Sequence, residues 1–214
     1  MVFNLDTVLG ELKRARPIFR RESDFQQEFA RVVRLLNGNA RVRLETPLPQ
    51  ESDLSRLDVL VEDGPTVIAV ELKYKTRALS CQAGDELFSL KAQGAQDHGR
   101  HDFIKDIARI ERFVDANPGA IGYAIFLTND PLYWQQGLRA TNDSAFRLHH
   151  GRLLKGTATW GPAAGAGSTA GREVPLALRG EYALDWRDYS DVDGNARSQF
   201  RYLAVKVHEH GAAT

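Results

Sequence analysis

The chain has one cysteine, Cys81, in 214 residues. No disulfide can form within it, which excludes the small folds held together by cystine frameworks and fits a reducing compartment. A buried or incidental thiol is the stronger reading of Cys81, a nucleophile the weaker. Neither sign of charge is in excess, because 28 basic and 28 acidic side chains cancel. Overall charge therefore draws no polyanion, and any nucleic-acid surface must be a local patch. Apolar runs of membrane-spanning length are lacking, so no membrane partner is expected. The first residues lack the apolar core of a secretion signal, and the expected location is cytoplasmic. No Gly-rich phosphate loop and no serine-centred nucleophile motif occurs.

What remains is ordinary for a soluble globular chain: 43% hydrophobic and 26% charged residues. A chain of this length hides roughly 70% of its extended surface, enough for a real core. One large domain, or one domain with an appendage, is expected.

Residues 4–15 carry Leu5, Val8, Leu9 and Leu12 at helical spacing, and Pro17 interrupts that helix. Ser23 is the expected N-cap of a second helix, with Phe25, Phe29, Val32, Val33 and Leu36 on its apolar face and Asn37-Gly38 as its stop. Residues 40–48 and 56–62 alternate as half-buried strands do. Residues 66–75 are rich in β-branched side chains and follow the tight turn Asp63-Gly64-Pro65, so the second and third strands form a hairpin. A short helix is expected over 85–92 and a long one from about His101 to Asn117. The apolar run 121–128 suits a strand buried on both faces. Residues 161–171, rich in Ala and Gly, are expected to be a mobile loop, with further strands at 180–187 and 200–207 that extend the sheet or form a flap. The expected division is a helical segment over 1–22, an α/β core over 23–130 and a β-rich C-terminal extension over 131–214.

The chemistry concentrates in the hairpin. Asp58 interrupts an apolar strand, and Glu71 and Lys73, two residues apart, share one face of the next strand. Charge in an apolar strand is costly unless it is paired or binds a metal. The turn brings Asp58 near Glu71, and two adjacent carboxylates repel until a divalent cation relieves them. Hard oxygen ligands favour magnesium or manganese. A lysine beside them suits activation of a water or neutralisation of a developing phosphate charge. The plainer alternative is a structural salt bridge between Glu71 and Lys73 on a solvated strand face.

At these residues the chain resembles the PD-(D/E)XK nuclease superfamily, whose pattern is an acid on one strand and an acid-X-Lys triplet on the next. Asp58 matches the first acid and Glu71-Leu72-Lys73 the triplet; the residue before Asp58 is Leu57, not proline, a departure that many members share. Glu28, in DFQQEFA, matches a helix glutamate that the family often adds. The resemblance covers about half of the chain. It implies a restriction-endonuclease-like αβββαβ core with a mixed sheet flanked by helices. It further implies a Mg2+- or Mn2+-dependent nuclease. Asp58, Glu71 and Glu28 would be the metal ligands and Lys73 the helper of the attacking water. DNA is the substrate implied, RNA is left open, and a homodimer is compatible with cutting both strands. The same fold also includes members that bind nucleic acid or protein without cutting.

Other residues carry weaker expectations. Lys105, Arg20 and Arg21 are candidates for phosphate contacts, the arginines within a basic cluster with Lys13, Arg14 and Arg16. Asp102/Asp106 and Lys105/Arg109 are like-charge i,i+4 pairs, an oddity that singles out this helix face. Gln93 and Gln96 read first as surface residues and second as site lining. His98, His101 and Asp102 read first as solvated or capping groups. His149-His150 and His208-Glu209-His210 lack a convincing metal frame. Trp134, Trp160, Trp186, Tyr182 and Tyr189 are expected mainly in the core.

Overall fold

The structure, a computed structural model, describes residues 3–48 and 55–208. Glu209 and His210 of the histidine cluster lie outside the described residues. Helix α1 (Leu5–Ala15) is capped by Asn4, whose side chain accepts from the Thr7 N–H, and buries Leu5, Val8, Leu9 and Leu12. Helix α2 (Glu22–Leu36) starts one residue before the expected Ser23 cap. Its N-cap is Arg21, which makes no side-chain capping bond. Asp24 turns back instead and accepts from the Arg20 N–H at 2.8 Å.

Ten strands form among the described residues, six of them in one mixed sheet. Strand β1 (Arg41–Pro47) pairs antiparallel with β2 (Arg56–Asp63), which pairs antiparallel with β3 (Thr66–Lys75). A hairpin, β4 (Leu79–Ala83) and β5 (Glu86–Leu90), and helix α3 (Gln96–Ala116) then intervene. Strand β6 (Ile121–Thr128) returns parallel to β3, a connection that needs a crossover such as α3. Residues beyond 130 supply a second hairpin, β7 (Leu153–Ala158) and β8 (Leu176–Ala183), and two more strands of the main sheet, β9 (Trp186–Asp191) and β10 (Gln199–Val207). The sheet order is β1-β2-β3-β6-β10-β9.

The expected helix over 85–92 is a correction: that stretch forms β5, paired antiparallel with β4. Gly84 at φ 59° makes the reversal, and Leu79, Phe88 and Leu90 turn inward together. An eight-residue window with apolar residues at 87, 88 and 90 does not distinguish the two periods; the turn decides. Helix α3 also begins earlier than expected, at Gln96, so His98, His101 and Asp102 lie within it.

The sheet is covered on both faces. On one, α1 and α2 pack Val8, Leu12, Phe25 and Phe29 onto Val70, Leu72 and Ile125. On the other, α3 and the β7–β8 hairpin pack Ile107, Ile110 and Leu178 onto Ala124, Phe126 and Leu203. Gly122 sets the approach of α3: a Cβ there would lie 1.9 Å from Ile110 Cγ2. The segment 161–171 contains a four-residue helix, α4 (Ala166–Thr169), and is tied to α3. Ser168 donates to Asp97 at 2.9 Å, and Arg172 bonds both oxygens of Asp102 at 2.9 and 3.0 Å. Trp186 and Tyr189 are core residues, as expected. Among the described residues, no helix is long and apolar enough to cross a membrane.

Candidate active site

The β2–β3 ladder runs from Asp63↔Thr66 to Val59↔Val70. One step further along this register stand Asp58 and Glu71. Here the Asp58 carboxylate, rather than a main-chain carbonyl, receives the Leu72 N–H at 2.6 Å. Two residues on, Glu22 of α2 receives the Tyr74 N–H at 2.8 Å. Two carboxylates thus satisfy the main-chain donors where β2 and β3 part, and are held by strong charge-assisted bonds. Gln26, buried on α2, fixes the same place: its amide donates to the Asp58 carbonyl at 2.9 Å and to Glu45 at 2.7 Å. Glu45 has φ 49°, an unfavourable conformation for a residue with a Cβ, held opposite the site.

Strand alternation sorts the rest. Val70, Leu72 and Tyr74 enter the α1–α2 core, so Glu71 and Lys73 face α3. From α3, Arg109 donates to Glu71 Oε1 at 2.6 Å. The Lys73 ammonium lies 3.2 Å from Asp106 and 4.0 Å from Glu22. Asp106 and Arg109, one turn apart, are also paired at 3.4 Å. Lys73 does not bridge Glu71; each is paired with α3 instead. Four carboxylates, Glu22, Asp58, Glu71 and Asp106, share two cations, Lys73 and Arg109.

The protonation equilibria follow from that surplus. Burial pushes the Asp58 carboxyl up to about 6, against the opposing bonds from the Leu72 N–H and Glu71. Glu71 is raised well above the ordinary carboxylate range, first by burial and then by the charges of Asp106 and Asp58, against the pull of Arg109. Lys73 is raised above its ordinary value, because Asp106, Glu22 and Asp58 outweigh the cost of burying its ammonium. The carboxylates therefore take up a proton easily or attract another cation. Asp58 and Glu71 offer adjacent hard oxygens, which fit magnesium or manganese; magnesium is commonly held by one or two carboxylates with waters completing its shell. Among the described residues, no group of three or more His, Cys, Asp or Glu side chains forms a ready-made metal cage.

The chain matches no family model, no curated protein and no solved structure.

The remaining candidates fall at different distances from this centre. Glu28 pairs with Arg31 at 2.7 Å on its own helix, and the α2 side chains that meet the strands are Glu22 and Gln26. Gln93 accepts from the Thr76 N–H at 3.0 Å, and Gln96 donates to Asp130 at 2.9 Å, so both brace loops. Lys105 and Arg21 are exposed. Arg20 bonds the Leu87 carbonyl and Glu86, both at 3.1 Å, and lies over the Phe88 ring, anchoring the β4–β5 hairpin. His101 is buried and stacked on Trp160. Cys81 is half-buried, and burial pushes its thiol up, away from thiolate chemistry.

Asp106, Arg109, Glu22 and Gln26 are the site residues that strand-centred reasoning misses. The like-charge pairs on α3 were the available signal for the first two. Equal charges four residues apart are tolerated when they face opposite charges on another element.

Proposed function

We propose that this protein is a metal-dependent nuclease that hydrolyses phosphodiester bonds, with DNA as its substrate. One observation carries the reading: Asp58 and Glu71 stand side by side at the parting of β2 and β3, with Lys73 one step along the same face. The order α2, β1, β2, β3, α3, β6, with β3 and β6 parallel, supports a restriction-endonuclease-like core. Asp58 and Glu71 would hold Mg2+ or Mn2+, which would supply Lewis-acid stabilisation of phosphoryl oxygen charge. The chain's own contribution is positioning. Asp106 holds the Lys73 ammonium beside the carboxylates, where it can orient a water or offset charge on a phosphate oxygen. The Leu72 N–H fixes one Asp58 oxygen. Arg109 holds one oxygen of Glu71.

A second reading, a non-catalytic nucleic-acid- or protein-binding member of the same fold, is favoured by a specific observation. Arg109 and Lys73 already pair with Glu71 and Asp106, so the centre has an internal counter-charge. Metal binding separates the two. A catalytic centre gives a Mn2+- or Mg2+-dependent rise in Tm that Asp58→Ala abolishes. No metal-dependent rise in the folded wild-type protein would favour the second reading.

A further inference from the structure

A groove with a volume of about 1000 Å³ lies away from the carboxylates, along the β4–β5 hairpin. That is at the upper end of what small-molecule sites occupy. Its lining is one-sided in charge. Among the described residues, Arg20, Arg21 and Lys91 line it and no aspartate or glutamate does. Glu86 on the same hairpin pairs with Arg20 at 3.1 Å, so Arg21 and Lys91 carry the local cationic surplus in a chain whose charges cancel overall. Arg20 is committed to holding the hairpin, whereas Arg21 and Lys91 are exposed and form no ion pair among the described residues. Between the cations the lining is mixed: Ser80, Gln82, Ser89 and Gln93 supply polar groups, Phe88 and Leu90 are buried beneath, and Leu87 is 73% exposed.

Position links the groove to the candidate active site. Thr76 belongs to its lining and continues the chain of β3, three residues past Lys73, or roughly 10 Å along an extended strand. Arg21 immediately precedes Glu22, which touches Lys73. Arg21 and Thr76 thus place the edge of the groove near the Lys73 end of the centre.

We infer that this groove binds single-stranded nucleic acid and delivers it to the Asp58–Glu71–Lys73 centre. The choice of nucleic acid rests on the nuclease reading; the choice of a single strand rests on the groove. A duplex keeps its bases stacked inside and presents phosphates, so it meets convex cationic surfaces. A recess with cations at its edges and a mixed polar and apolar lining is matched by a strand whose unpaired bases, polar at the edge and apolar on the face, turn inward while its phosphates stay near the cations.

The test is fluorescence anisotropy of a labelled twelve-nucleotide single strand, its duplex and polyglutamate, all in EDTA. Wild type is compared with R21E/K91E, whose two sites are exposed, and folding of the variant is checked by its Tm. Single strand should bind wild type at least tenfold more tightly than duplex or polyglutamate. The double variant should weaken it by roughly tenfold or more, and its salt slope should fall by about 0.7 for each cation lost. Equal binding of duplex or polyglutamate would overturn the inference, as would single-strand binding unchanged in the folded double variant. Metal-dependent cleavage is scored separately. Groove binding without cleavage sinks the nuclease reading and leaves the groove standing, whereas cleavage with binding indifferent to Arg21 and Lys91 does the reverse.

Discussion

Asp58→Asn should stabilise the metal-free protein at pH 8. In the fold, the carboxyl is moved from its ordinary 3.8 to about 6, chiefly by burial. A group whose folded value is raised stabilises the fold relatively more below the unfolded value, and that advantage is lost as pH rises through the folded value. For Asp58, the loss runs from about pH 4 to about pH 6 and is complete at pH 8. At roughly 1.4 kcal/mol per tenfold change in proton affinity, it amounts to about 3 kcal/mol. Asparagine keeps an oxygen for the Leu72 N–H and offers its amide to the neighbouring Glu71, without the buried charge. For a chain of this size, about 3 kcal/mol corresponds to a Tm gain of about 6–12 °C. Thermal unfolding of wild type and variant in EDTA from pH 4 to pH 8 measures the difference directly. The variant's advantage should be near zero at pH 4 and grow to its full value by pH 7. A variant equal to or weaker than wild type at pH 8 would refute the view that the ionised Asp58 is a burden carried for function.

Gly122→Ala should cost about 1–3 kcal/mol in a denaturant melt, because the new Cβ collides with Ile110 and α3 cannot approach β6. Glu111, buried on α3, receives the N–H groups of Arg179 and Gly180 and the Tyr182 hydroxyl. Glu111→Ala strands these donors and should cost about 3–5 kcal/mol by the same melt, with Glu111→Gln recovering part of the loss. The Asp102 carboxyl is held far below the ordinary range: bonds from His101 and Arg172 outweigh the opposing effect of burial. Its contribution is therefore present above about pH 4 and fades as pH falls. Asp102→Asn should flatten the acid limb of the stability curve, and a limb as steep as wild type's would contradict the pairing.

The helices and strands that carry one clear period were legible in the sequence. Val70, Leu72 and Tyr74 alternate with Glu71 and Lys73, and the core takes the first set as the pattern implies. The strand over 121–128 was legible as a doubly buried run. Residues 85–92 were not, because the reversal at Gly84 and the pairing across it decide the period, and neither is a property of the window. In the site, local spacing places Glu71 with Lys73, and the short turn places Asp58 beside them. It does not say which turn of α2 or α3 will face them. Glu28, the seventh residue of α2, pairs with Arg31 on its own helix; Glu22 and Gln26, four apart, share the face that meets β2 and β3. Asp106 and Arg109 were visible only as an unexplained charge pattern. Long-range register turns that pattern into an interlocking pair of salt bridges. The contribution of residues beyond 130 to the central sheet likewise depends on β10 finding β6, a pairing of distant segments.

The most direct test of the central claim is cleavage. Plasmid, single-stranded DNA and RNA are incubated with the protein and Mn2+ or Mg2+, and wild type is compared with Lys73→Ala and Glu71→Ala. Wild type should cut DNA in a metal-dependent way, and both substitutions should remove the cutting while the variants stay folded. Cutting that survives both substitutions, or no cutting of any substrate by the folded, metal-supplied wild-type protein, would contradict the claim.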